Sequence, residues 1–126
     1  MKVFLLLSPD PIQPLPSIID PSVGAAVTFS GLVRDSEEHR PISSLFYEAY
    51  LPMAENSIRE ILGQLSLQHP CTSFELLHRL GHVPVGELSL WIRVLAPHRA
   101  EAFSLLTHFL DRLKKDVPIW KTKPST

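Results

Sequence analysis

The sequence predicts an α+β fold, a mainly antiparallel sheet packed with two main helices. Three observations carry this expectation. Apolar residues alternate with period two over residues 25–34, 44–50 and 87–96. They recur at helical spacing in two other stretches, after Pro52 and after His98. Strands and helices do not alternate regularly, which argues against a parallel sheet. No repeat or linker divides the chain, and 126 residues suit one core, so residues 1–126 are expected to form a single domain.

Residues 3–7 read as a buried strand, and residues 8–16, with four prolines, as an irregular loop. Ser17 to Ile19 is expected to start one helical turn that ends near Asp20-Pro21. In residues 25–34, Val27, Phe29 and Val33 face one way, while Thr28, Ser30, Leu32 and Arg34 face the other. Gly31 within that run suggests a bulge or a close backbone approach. Residues 35–41 read as a charged, mobile loop, and residues 44–50 as a second strand rich in aromatic side chains. Pro52 suits the first turn of a helix. Met53, Ala54, Ile58, Ile61, Leu62 and Leu65 form that helix's apolar face. Residues 72–80 and 87–96 read as two strands of a hairpin, joined by a turn from Gly81 to Gly86. The last helix, over residues 98–113, has an apolar stripe of Phe103, Leu106, Leu110, Leu113 and Val117, and Pro118 stops it.

Composition removes several function classes. A net charge of −1 gives no global field to gather nucleic acid or an anionic membrane, so any anion site must come from local clustering. One cysteine, Cys71, allows neither an internal disulfide nor a Cys-rich metal site, and leaves no thiol pair for sulfur chemistry. The other histidines, at 39, 69, 78, 82 and 108, show no metal-binding pairing, so no metal and no resident cofactor are expected. There is no Gly-rich phosphate loop, Gly-x-Ser-x-Gly or serine triad. The apolar run at residues 3–7 is too short for a signal peptide or a membrane span, so a cytoplasmic protein is expected.

What remains is cationic. Lys114 falls within the arc that carries Phe103, Leu110, Leu113 and Val117, an unusual place for lysine. Its stem either snorkels across apolar surface near the helix end, or it lines a cleft as base or nucleophile. His98 and Arg99 begin the same helix, where free N–H groups and the dipole favour an anion, and Arg99 adds a fork that matches phosphate. Arg34 ends a strand with a polar face, and Lys121 follows Trp120 in an extended segment. Each has a plainer reading: an exposed ion pair of Arg34 with Asp35, Glu37 or Glu38, and solvated cations elsewhere. Arg99 and Lys114 are about 22 Å apart along one helix, at ~1.5 Å per residue. If both serve one small ligand, two copies of the chain must share the site.

The same residues carry a resemblance. Residues 24–34, 47–54, His78-Arg79-Leu80-Gly81, Ala96-Pro97-His98-Arg99-Ala100 and residues 113–121 occur in the order found in the MoaE family, the catalytic (large) subunits of molybdopterin synthase. The match covers nearly everything from Gly24 to Lys121, and its pieces are specific together. It implies an α/β-hammerhead-like fold and a sulfurtransferase that inserts two sulfurs into cyclic pyranopterin monophosphate (precursor Z) to make molybdopterin. It also implies the sulfur's source, the C-terminal thiocarboxylate of a small ubiquitin-like, MoaD-like subunit, in a heterotetramer built on a central homodimer. By position, Lys114 and Lys121 match the family's catalytic lysines. Arg34, His98 and Arg99 match the residues that hold the substrate. The family continues past the Trp-Lys pair, whereas residues 123–126 are unlike that tail. A non-catalytic dimer that binds a phosphorylated pterin or a nucleotide is the alternative.

Overall fold

A computed structural model describes residues 1–125, with side chains as far as Lys121. Thr126, the last residue of the expected tail segment, lies outside the described residues. In chain order the elements are β1 (Lys2–Ser8), β2 (Ala25–Leu32), β3 (Ser36–Glu37), β4 (Arg40–Pro41), β5 (Ser44–Ala49), α1 (Leu51–Gln68), β6 (Ser73–Arg79), β7 (Gly81–Pro84), β8 (Leu88–Ala96), α2 (Arg99–Asp116) and β9 (Ile119–Ser125).

The main sheet has the order β1-β6-β8-β2. Only β1 and β6 run parallel; the other pairs are antiparallel, as the sequence predicts. Both helices pack on one face. Phe74, Leu76, Ile92 and Val94 from the sheet meet Ile58 and Leu62 of α1 and Leu105 and Phe109 of α2, all fully buried. Each such side chain contributes about 1.5–3 kcal/mol by leaving water. The ring centroids of Phe74 and Phe109 lie 4.7 Å apart.

The helices match expectation in extent and differ in facing. Pro52 does sit in the first turn of α1, whose buried row is Ala54, Ile58, Ile61, Leu62 and Leu65. Met53 is exposed, one step off that row. In α2 the buried row is Ala102, Leu105, Leu106 and Phe109. Phe103 lies outside it and is 54% exposed. At ~100° per residue, Lys114 falls about 20° from Phe103, on the flank of the helix and off its core face. Lys114 is accordingly exposed, and the expected core-facing position is corrected.

Residues 9–20 cover the other sheet face only near Glu75 and Arg93; the strand expected to be buried at residues 3–7 leaves Phe4 and Leu6 about half exposed, because it is an edge strand with that side open. Residues 9–20 form no helical turn: Ser17 to Ile19 is irregular. Arg93 explains why. Its guanidinium grips Glu75 in a buried fork, Nε to Oε1 at 2.6 Å and Nη2 to Oε2 at 3.0 Å. Its remaining nitrogen, Nη1, donates to the Pro16 carbonyl at 3.0 Å. The segment ends in a turn where Asp20 accepts from the backbone N–H and the hydroxyl of Ser22.

Two further expectations change. Residues 81–86 are not a simple hairpin turn. Gly81–Pro84 leaves the main sheet as β7 and pairs with β5, which in turn pairs with β9, giving a second sheet of order β7-β5-β9. The charged residues 35–41 form the β3–β4 ribbon, closed by Glu38 and His39 at positive φ (49° and 65°). Neither turn residue is glycine or asparagine, so the usual hairpin signal is missing. The expected irregularity at Gly31 is present as a register shift between Gly31 and Leu32.

Candidate functional site

Where the two sheets and the end of α2 meet, a cleft of about 450 Å³ opens. Its making is local. Pro118 has no N–H to continue α2, so the chain leaves the helix at Val117 in an extended conformation (φ −96°, ψ 131°). Val117 is buried and anchors the corner. The chain then reverses into β9, so that Lys114 and Lys121 line one cleft although seven residues separate them.

β5 supplies the opposite wall. Its Tyr47 lies between Gly81 of β7 and Lys121 of β9 in the ladders. The Tyr47 ring meets His78, from the end of β6, edge to face at 5.2 Å. Phe29, Gly31, Leu90, Leu110, Leu113 and Ile119 form the apolar lining, and Ser89, Asp111 and Trp120 complete it.

Electrostatically the cleft is mixed. The Lys121 ammonium pairs with Glu37 Oε1 at 3.1 Å, reaching the β3–β4 ribbon. With Lys121 52% exposed, the pair is worth little and is readily exchanged for another anion. His78 is buried, and burial holds its imidazole below the ordinary histidine pKa, opposed by its bond to the Arg79 carbonyl. Among the described residues no three His, Cys, Asp or Glu side chains gather to hold a metal ion. No helix among the described residues is long and apolar enough to cross a membrane.

Of the five residues named from the sequence, the structure brings together Lys114 and Lys121. Arg34 is exposed two residues past the end of β2 and does not line the cleft. One of the three carboxylates the plain reading offered it, Glu37, pairs with Lys121 instead. His98 caps the far end of α2 without a side-chain cap bond, and Arg99 follows it, both exposed. Within one chain they stand a full helix length from Lys114.

Tyr47 and His78 were missed as site residues. Their positions depend on β7 joining β5, and the Gly81–Gly86 segment read as a turn. The available signal was that both lie in the family-like stretches.

Three comparisons bear on the assignment. A family model described as MoaE protein matches residues 7–116. The chain is 43% identical over 115 residues to the molybdopterin synthase catalytic subunit of Homo sapiens, spanning 91% of this chain and 60% of that protein. Among solved structures, molybdopterin synthase from Staphylococcus aureus superposes with a TM-score of 0.82 at 32% identity, covering 92% of this chain and 87% of that one. The complex of subunits 1 and 2 of molybdopterin-converting factor from Helicobacter pylori 26695 shares the fold, with a TM-score of 0.69 at 20% identity over 94% of this chain and 82% of that one. The chain thus spans about 60% of the length of the human and bovine relatives.

Proposed function

This chain belongs to the MoaE protein family, and on that footing we propose that it is the catalytic subunit of a molybdopterin synthase. Its substrate is cyclic pyranopterin monophosphate, and its sulfur donor is the thiocarboxylate tail of a small ubiquitin-like subunit. The observation that carries this reading is the meeting of Lys114 and Lys121 in one apolar-walled cleft. Such a wall suits a flat pterin ring, and the ammonium groups suit negative charge that develops as sulfur leaves an acyl carbon. A donor arriving from another protein also fits a chain whose single thiol, Cys71, is raised by burial to a pKa of about 11 and so offers little thiolate near neutral pH.

Arg34, His98 and Arg99 hold the substrate's phosphate in this reading. Because α2 separates His98 and Arg99 from Lys114, the partner protomer supplies them, and the working unit is a homodimer carrying two small subunits. The protein acts in the cytoplasm, as a single domain over residues 1–126. The test mixes the chain with precursor Z and the thiocarboxylated partner. Formation of the dithiolene pterin is expected, with Lys114→Ala lowering the single-turnover rate by at least about 10²-fold, the scale of one lost charge-stabilising donor. A rate unchanged by Lys114→Ala refutes the catalytic role.

A further inference from the structure

His78 has a place in the cleft that the lysines cannot fill. A lysine ammonium carries three donors and no acceptor, so in that form Lys114 and Lys121 stabilise negative charge and leave the proton-accepting role open. Releasing sulfur from an acyl group does require a proton acceptor, because water must replace sulfur on the carbon. His78 is built for that task. Its Nδ1 lies 2.9 Å from the Arg79 carbonyl oxygen. A carbonyl only accepts, so Nδ1 carries the ring proton and Nε2 keeps its lone pair. The edge-to-face contact with Tyr47 fixes the ring plane, and the ring lines the same cleft as both lysines.

We propose that His78 is a further catalytic residue, whose Nε2 accepts the proton of the water that cleaves the acyl–sulfur bond. The inference rests on the sulfur-transfer reading above. In the step, the water oxygen bonds to the acyl carbon and its proton passes to Nε2. The C–S bond breaks with its electron pair on sulfur, which stays on the pterin as a thiolate. The small subunit's tail is left as a carboxylic acid, which ionises. No oxidant or reductant is required. The lysines stabilise the oxyanion of the tetrahedral intermediate while the neutral imidazole takes the proton, a division of labour the residue types dictate. His78 touches Tyr47 of β5 and Arg79 on its own strand, and the other charged groups lining the cleft with it are Lys114 and Asp111 of α2 and Lys121 of β9. Burial keeps the ring unprotonated below the usual histidine range.

The experiment compares wild type, His78→Asn and His78→Gln in single turnovers with precursor Z and the thiocarboxylated small subunit. Asparagine keeps an N–H toward the Arg79 carbonyl and has nothing at the Nε2 position; glutamine offers an acceptor there that is no base. Both variants are expected to slow dithiolene formation about 10²-fold, the usual contribution of a general base. Substrate affinity should stay within about threefold, since a lost transition-state contact lowers kcat and not binding. The acyl-linked conjugate of tail and pterin should accumulate, visible by mass spectrometry. Wild-type rates should fall on an acid limb with a midpoint below pH 6.5, and the variants should lack it. A variant rate close to wild type, full rescue by His78→Gln, or a loss that matches weakened binding would overturn the role. Should either variant fail to fold, a wild-type rate that stays flat below pH 6.5 overturns it alone. If wild type forms no dithiolene at all, the sulfur-transfer reading falls and takes this inference with it; if wild type turns over and the variants keep pace, only the role of His78 falls.

Discussion

Deleting the Arg93 side chain should destabilise the fold more than any surface change, without touching the cleft. The guanidinium and the Glu75 carboxylate are 8% and 10% exposed, and two short bonds join them. Arg93→Ala leaves the carboxylate buried without its counter-charge, a loss of about 3–5 kcal/mol. It also strips the Pro16 carbonyl of its donor, so the covering segment 9–20 should loosen first. For a domain of this size each kcal/mol moves Tm by roughly 3–5 °C, so a fall of about 10–20 °C is expected. Replacing both partners by apolar residues, Glu75→Leu with Arg93→Met, should recover most of that loss, because no charge is then left alone. Urea unfolding of Glu75→Leu, Arg93→Met and the double variant closes a cycle whose coupling energy isolates the pair. A cost for Arg93→Ala under about 1 kcal/mol, or a double variant no more stable than the worse single one, would refute the reasoning.

Three other outcomes follow from the structure. Gly24→Ala should cost about 1–3 kcal/mol by the overpacking rule, since a Cβ there would stand 2.3 Å from the Pro97 carbonyl oxygen; a thermal melt checks it, and an unchanged Tm would contradict the close approach. His78 has a folded pKa below its unfolded 6.5, so the unfolded chain binds more protons between those two values and stability must rise with pH across that window. Stability should therefore decline as pH falls from 6.5 and level off below the folded pKa, and the His78→Asn variant should lack this component in pH-dependent urea unfolding. Cys71, raised from 9.0 to about 11, should react with iodoacetamide at pH 8 roughly 10²-fold more slowly than an unshifted thiol, because only the thiolate reacts.

Patterning made the layers legible. The row from Ala54 to Leu65 has one physical cause, a buried face, and appears as expected; period two in residues 87–96 marks a strand, although burial there does not alternate. Facing was harder to read where both sides of an element are covered. β8 is buried on its two faces, so alternation there hid the Glu75–Arg93 pair. In α2 the stripe expected through Phe103 ran about one residue off the true row, because small Ala102 is at its centre and carries little hydrophobic signal. The second sheet was not legible at all. β7 is four residues between Gly81 and Gly86, and only its partner β5 makes it a strand. Since the cleft lies between the sheets, its lysines could be named from sequence while Tyr47 and His78 could not.

Charge counting gives the shape of the cleft its meaning. Lys114 and Lys121 face Asp111 in the lining and Glu37 on the ribbon, two cations against two carboxylates. With the imidazole of His78 neutral, one protomer's cleft carries little net positive charge. The whole chain, at −1, adds none from a distance. A phosphate monoester near neutral pH carries between one and two negative charges, so a site that binds it tightly needs further cations at close range. The candidates are Arg34, exposed after the end of β2, and His98 with Arg99, the latter fifteen positions before Lys114 and so roughly 22 Å away at ~1.5 Å per residue. A rigid helix cannot fold back on its own cleft, but a two-fold that sets the start of one α2 beside the end of another would complete both sites at once. The same helix that keeps a single chain's site electrically balanced thus makes a second chain the simplest source of the missing charge.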